Sequence, residues 1–428
     1  MNRTSWLSSV PSHWAVRRAA HVIDMDVGGT PPTSRPEYFD GDIPWLTIAD
    51  MKSGSVTSCE KYLSRTGVEA ARIPWSQKGD LLYSFKLSIG KTAFTEIDLV
   101  TNEAIASIHS SSRINLRYAY WMLPLAYEAA ASRNIYGAPI LNQQQLRAAR
   151  LPIPPMAEQQ QIADYLDHET AEIDALIEQL AEVEALLSTR RRTIIDDAFT
   201  RAGRPRIALK YLGVLHSGLT LGKRYEVPTQ SYPYLRVANV QAGHVDLTDV
   251  TEIDVPPAVA VENRLEPGDV LLTEGGDRDK LGRGALWKGQ IDPILHQNHV
   301  FAFRCNSKLL PEYLVYALES TPARIYFDQT ARQSTNLAST NSTVVKNFKL
   351  PAPPATEQRS VVERLDHEML EMQEMLANAN RIIDLARERR AALITAAVTG
   401  QIDVTARNKP AAEQLEDDVA QGLHREFA

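Results

Sequence analysis

The chain holds only two cysteines in 428 residues, Cys59 and Cys305. Neither has a Cys or His neighbour at metal-site spacing, and two isolated thiols cannot build a disulfide framework. Both are expected to be small buried residues. Long apolar runs are missing as well, none approaching the roughly 18 residues that a membrane span needs. The opening MNRTSWLSSVPSHW lacks the basic start and apolar core of a signal peptide. A cytoplasmic location without a membrane partner is therefore expected. An excess of positive charge is absent too, with 46 Lys and Arg against 53 Asp and Glu and a net charge of −7.

That total does not exclude a nucleic-acid partner, because phosphate affinity follows local potential. Residues 1–150 carry 16 basic against 13 acidic side chains and residues 206–349 carry 16 against 15. The acidic excess sits in residues 151–205, with 5 against 11, and in residues 350–428, with 9 against 14. Two mildly basic segments thus alternate with two acidic ones.

Catalytic signatures are also lacking. Gly90-Lys91-Thr92 ends like a phosphate-binding loop, but Phe85 stands where its first glycine belongs. Gly282-Arg283-Gly284 occupies the comparable place later on, so a structural turn with a cation free for a DNA phosphate fits better. The adjacent prolines follow Thr30, Ile153, Val255 and Ala352, not the Asn or Asp of an adenine methyltransferase motif. Glu274, Asp277 and Asp279 lack the lysine of a nuclease site. A non-enzymatic chain without its own cofactor or metal is expected.

What the chain does have is an internal repeat, which fixes architecture before any local motif. LPIPPMAEQQQIADYLDHE at Leu151 returns as LPAPPATEQRSVVERLDHE at Leu350, and an offset of 199 holds through Arg190 with Arg389 to Thr200 with Thr399. The prolines end an extended segment and a helix starts soon after, with Thr356 as a plausible N-cap in the second copy. Leu166, Ile173, Leu180, Leu187 and Ile194 recur every seven residues, with Ile162, Leu176 and Val183 between them. The second copy reads Leu365, Met372, Ala379, Ala386 and Leu393, with Val361, Met375 and Ile382 between. Sustained heptads predict a two-stranded coiled coil, and chain connectivity makes it antiparallel.

Residues 1–150 and 206–349 share weaker landmarks. IPWL at Ile43 matches YPYL at Tyr232, Gly79-Asp80-Leu81-Leu82 matches Gly268-Asp269-Val270-Leu271, TNEAIA at Thr101 matches QNHVFA at Gln297, and Asn142 matches Asn341. Strand-length apolar runs and a helix over Leu116–Ser132 make each a mixed α/β domain. The expected fold class is α/β: two globular domains, 1–150 and 206–349, separated by spacer helices 151–205 and 350–404, with a pseudo-two-fold repeat and a flexible acidic tail, 405–428.

Side chains suited to base edges and phosphates are Lys86, Lys91, Arg236, Asn239, Arg278, Lys280, Arg283, Arg332, Gln333 and Asn336, the last three within TARQSTNLASTNST. Asp167-His168-Glu169 and Asp366-His367-Glu368 repeat in the first turns of the helices, where a docking role fits better than acid/base chemistry. With them, Glu158, Gln159, Glu357 and Gln358 are partner-docking candidates alongside His168 and His367.

Together PSHW, GGTP, GDIPWLTIADM, GDLL, the two LP-x-PP…EQ boxes and the TG-x-I-x-V ending at Val404 resemble the specificity subunit of type I restriction-modification systems. The second module departs from that pattern in lacking a PSHW-like start. The resemblance implies that each globule reads half of a split, asymmetric site on double-stranded DNA. It also implies two methylation subunits docked on the helices and restriction subunits joining them, with S-adenosylmethionine, ATP and magnesium belonging to those partner chains. A coiled-coil adaptor with two protein-binding heads is the alternative reading.

Overall fold

A computed structural model describes residues 5–51, 54–86, 88–134, 137–200, 205–276, 281–333 and 338–404. It divides into two compact units, Met1–Gln179 with Ile382–Ala428 and Leu180–Arg381. Each unit combines one globule with part of each long helix.

In the first unit a five-stranded sheet runs in the order Asp24–Val27, Ile105–His109, Leu81–Ser84, Thr92–Thr95, Gly54–Val56. Leu81–Ser84 is buried along its whole length, which is why its sequence shows a continuous run and no alternation. A four-stranded sheet follows the order Lys61–Leu63, Ile43–Leu46, Leu99–Thr101, Trp75–Ser76, with Ile43–Leu46 and Leu99–Thr101 parallel. Helix Leu116–Ala130 starts at Asn115, whose side chain accepts from the Arg117 and Tyr118 amides. Beyond it Ser132–Arg133 pairs antiparallel with Pro139–Ile140.

The second unit repeats the plan with fewer strands. Gly213–Ser217, Val300–Cys305, Val270–Thr273 and Gly284–Leu286 form one sheet in that order, and Thr251–Val255, Gln230–Leu235 and Leu295–His296 another. The parallel pair Tyr234–Leu295 and Leu235–His296 answers Trp45–Val100 and Leu46–Thr101. Asn142 and Asn341 are N-caps of Gln143–Ala148 and Ser342–Asn347, accepting from Gln145 and Val344.

Each proline box is a strand of its globule. Leu151 pairs with Arg17 and Leu350 with Ile207, so the second globule closes through Arg206–Ala208 despite lacking the PSHW sequence. The long helices follow at once, Met156–Phe199 and Ala355–Val398. Their first amides, Glu158 and Gln159, Glu357 and Gln358, donate to the carbonyls of Pro155 and Pro354. Thr356 therefore lies inside its helix and is not the cap expected of it.

The heptad expectation needs one correction. Leu166, Ile173, Leu187, Leu365, Met372, Ala379 and Ala386 are buried as expected. Of the series between them Ile162 is buried as expected, and the rest is shifted by one residue. Ala163, Thr170, Ile177, Glu184, Arg191 and Ala198 face inward on the first helix, and Val362, Met369, Leu376, Ile383, Arg390 and Ala397 on the second. Leu176, Val183, Met375 and Ile382 are 41–56% exposed. The inward positions include Thr, Glu and Arg, so a search for apolar residues settles on their outward neighbours.

In the first unit Asp174 binds Arg390 through two hydrogen bonds, 2.8 and 3.1 Å, while Ile162–Leu166 share a core with Leu393–Val398. Positions ascend along one helix as they descend along the other. The second unit's core joins Leu187–Phe199 to Val362–Met372.

Candidate nucleic-acid interface

A glycine begins the rim of each globule. Gly28 and Gly218 follow equivalent strands, and a Cβ on either would lie 2.0 Å from a carbonyl oxygen, that of Thr101 or of His296. Without side chains, the next residues close onto that turn: Gly29 N–H donates to Thr101 (2.9 Å) and Leu219 N–H to His296 (2.8 Å). The turns 101–104 and 296–299 in turn bind the start of a third loop, with Phe85 N–H donating to Ala104 and Glu274 N–H to His299. Three segments distant in sequence are thus laced together by main-chain bonds at one edge of each globule.

In the second globule the lacing extends further. Thr340 N–H donates to the Glu274 carbonyl (2.7 Å), and Gly275–Gly276 pairs with Ala338–Ser339, which pairs with Arg332–Gln333. The structure therefore brings together the segment leading to Arg278 and Lys280 and the Ser/Thr/Asn-rich stretch carrying Arg332 and Gln333. Arg278, Lys280 and Asn336 themselves lie outside the described residues. His299 holds Glu274 at 2.7 Å. In the first globule Glu103 occupies the comparable turn and accepts from the Thr30 hydroxyl; that bond, then its own backbone amide and Lys86, hold its carboxyl below the usual range against a smaller opposing effect of burial.

Other candidates serve the scaffold. Lys91 donates its ammonium to the carbonyls of Ile48 (3.3 Å) and Met51 (3.1 Å), an arrangement unlike a phosphate loop. Asn239 is buried, accepting from Arg236 N–H and donating to the carbonyls of Asp246 and Asp249. Arg236 pairs with Asp249 at 2.7 Å. Arg283 is half-buried and engaged. Lys86 is exposed, its ammonium 5.7 Å from the Phe85 ring centre.

The docking candidates divide in the same way. Gln159 and Gln358 are buried, and each carbonyl oxygen accepts the N–H of the residue capping its globule's helix, Asn115 or Leu310, at 2.8 Å. Their amide groups donate to Pro154 and to Pro353 and Lys308. Both are latches within one module, not partner contacts. Glu158 accepts from Trp14 (2.9 Å) and bonds His13 (3.1 Å), which accounts for PSHW, and Glu357 is engaged as well. Asp167 binds Trp121 and Arg117, and Asp366 binds Tyr316. The histidines of these motifs face outward, their side chains 59% and 73% exposed beside Glu172 and Glu371, and Asp366 is exposed as well.

The reasoning from sequence missed Gly28 and Gly218 as the hinge of each rim, the turn Gln297-Asn298-His299, and the cations Lys223 and Arg224. GGTP signalled the first of these, whereas the match of TNEA with QNHV lies one residue out of register, because the structure equates Thr101 with His296 and Ala106 with Phe301. Burial pushes the thiol of Cys59 up to about 11 and that of Cys305 up to about 12, which disfavours the thiolate at both. Among the described residues no cluster could hold a metal and no helix is long and apolar enough to cross a membrane.

Residues 11–185 match the family model for the type I restriction modification DNA specificity domain. The putative type I restriction enzyme MjaX specificity subunit of Methanocaldococcus jannaschii is 28% identical over 156 residues, 36% of either chain. The type I restriction enzyme EcoKI specificity subunit of Escherichia coli K12 is 26% identical over 235 residues, 50% of either chain. These matches span between a third and a half of the relatives' own lengths. A chain from a solved structure concerning assembly and conformational transition of the type I R-M system superposes with a TM-score of 0.71 at 15% identity, over 92% of this chain and 99% of that one. That likeness is one of fold.

Proposed function

We propose that this chain, which belongs to the specificity-subunit family of type I restriction-modification systems, reads a split, non-palindromic site on duplex DNA, one half with each rim. The observation that carries this reading is the pairing of a shared scaffold with unshared tips. Gly28 and Gly218 make the same main-chain approach, while the loops they launch read TPPTSR and TLGKRY. Two domains that hold different side chains on one frame suit two different base strings, because bases are read by side chains at groove edges while phosphate contacts position the frame.

The helices act as spacer and docking surface in this reading. They form an antiparallel coiled coil, supported by the opposite order of positions within the first unit, where Ile162–Leu166 meet Leu393–Val398 and Asp174 pairs with Arg390. Two methylation subunits dock near His168 and His367, equivalent places at the same offset of 199, and restriction subunits join them. Methyl transfer with S-adenosylmethionine and ATP-driven, magnesium-dependent cleavage fall to those partners, and this chain contributes recognition alone.

The test is to remove seven residues from each long helix, about 10.5 Å of rise, and to map methylated sites in cells carrying the system. The half-site bases stay the same and the gap between them changes; an unchanged gap refutes the spacer. A gel shift of the chain with its methylation partner on random duplex at low salt tests recognition itself. Absence of binding would favour a protein adaptor.

A further inference from the structure

The two rim loops share a clamp but not a tip. Strand registers place Val27 beside Ala106 and Ser217 beside Phe301, which aligns Gly28 with Gly218 and Pro31-Pro32-Thr33-Ser34 with Leu221-Gly222-Lys223-Arg224. Pro31 is buried, and its loop tip carries no charge before Arg35, which sits 3.6 Å from Glu37. Leu221 is 54% exposed, and residues 220–224 are all exposed. Gly222 turns the chain at φ +79° with open space beside it. Lys223 lies 5.4 Å from the Tyr225 ring centre, and neither Lys223 nor Arg224 is paired with a described carboxylate.

The base of this loop is held fast. Leu219 is buried, receives Asn298 N–H at 2.9 Å and Tyr234 O–H at 3.1 Å on its carbonyl, and donates to His296. An exposed aliphatic side chain thus follows a base held by main-chain bonds, and two exposed cations without a carboxylate partner among the described residues come next in the chain.

We propose that the loop Thr220–Tyr225 enters the minor groove of the second half-site, where Leu221 wedges between two base pairs and Lys223 and Arg224 hold the flanking phosphates. Apolar wedges of this size unstack a base step and bend the duplex, and flanking cations offset the cost. The first globule, with a buried proline and an uncharged tip at the same place, leaves its half-site unbent. The inference rests on the DNA-reading role proposed above and makes the two half-sites mechanically unequal.

The experiment uses the full chain with its methylation partner and duplexes of its mapped methylation site, with 2-aminopurine placed at each step in turn. Fluorescence rises at one step of the half-site read by residues 206–349 and at none of the other. Leu221→Ser abolishes the rise and lowers affinity about tenfold, whereas Leu221→Met keeps both. Replacing Lys223 and Arg224 by Ala reduces the slope of log affinity against log salt by about 2. A Leu221→Ser complex with the full fluorescence rise, or a rise in the other half-site, overturns the wedge while leaving DNA reading intact. Failure of the wild-type complex to bind its duplex overturns both.

Discussion

Gly218→Ala gives the most direct test of how the rims are built. The backbone there is not left-handed, so no conformational penalty attaches to a side chain. The obstacle is steric. The new Cβ would sit 2.0 Å from the His296 oxygen and 2.6 Å from that of Gln297, about 1.4 Å short of the 3.4 Å where ordinary contact begins. Both obstacles are main-chain atoms and cannot rotate away. Relief requires the strand end and the turn to part, which breaks Leu219 N–H to His296 and Asn298 N–H to Leu219. Two such bonds are worth about 1–3 kcal/mol together, and partial withdrawal of buried Leu219 adds about 1 kcal/mol. A destabilisation of about 2–4 kcal/mol in the second unit follows, read by chemical denaturation and by faster amide exchange at Leu219 and Asn298. Gly222→Ala, at φ +79° in open space, costs only about 1 kcal/mol. A Gly218→Ala protein within 0.5 kcal/mol of wild type, with unchanged exchange at those amides, would show that the clamp is not what holds the loop.

Three further outcomes are expected. Gln358→Ala strips partners from the Leu310 amide and the Lys308 and Pro353 carbonyls, costing about 2–4 kcal/mol in denaturation; a cost under 1 kcal/mol would reduce the latch to an incidental contact. Ile383→Ala, at 5% exposure, destabilises by about 2–4 kcal/mol while Ile382→Ala, at 42%, costs less than about 1, and the reverse order would restore the heptad read from sequence. Burial lowers the pKa of His296, with smaller opposing effects from hydrogen bonding to Val300 and the Asp269 charge. The unfolded chain therefore binds the extra proton first, and stability of the second unit falls as pH drops below about 6.5, by at most about 1.4 kcal/mol per pH unit. His296→Gln flattens that slope, and a slope unchanged by the substitution would assign it to other groups.

The architecture was legible wherever a fold position demands one residue type. Asn142 and Asn341 matched because each caps a short helix, and Glu158-Gln159 and Glu357-Gln358 because the glutamine must both donate and accept at the helix start. Their repetition was visible, yet it was assigned to partner docking, since sequence alone does not say whether a repeated polar pair faces outward or is buried in its own module. The inner heptad series failed for a related reason. Thr170, Glu184, Arg191 and Arg390 occupy inward positions, the last two paired with Glu319 and Asp174, and polar residues leave no hydrophobic period to follow.

The rims were the least legible part because the bonds that assemble them run between main-chain atoms. A carbonyl of His296 or Thr101 can accept from Leu219 or Gly29 whatever side chains surround it, so the second globule can replace Thr101-Asn102-Glu103-Ala104 by His296-Gln297-Asn298-His299 and keep the same junction. Only the glycine is constrained, by a 2.0 Å approach that admits no Cβ. That division has a functional consequence. If the scaffold is held by main-chain atoms and one glycine, side chains at the tips can change without loosening it. On the DNA-reading role proposed above, new base strings are then open to either module by substitution at Thr30–Arg35 or Thr220–Tyr225, provided that Gly28 and Gly218 remain.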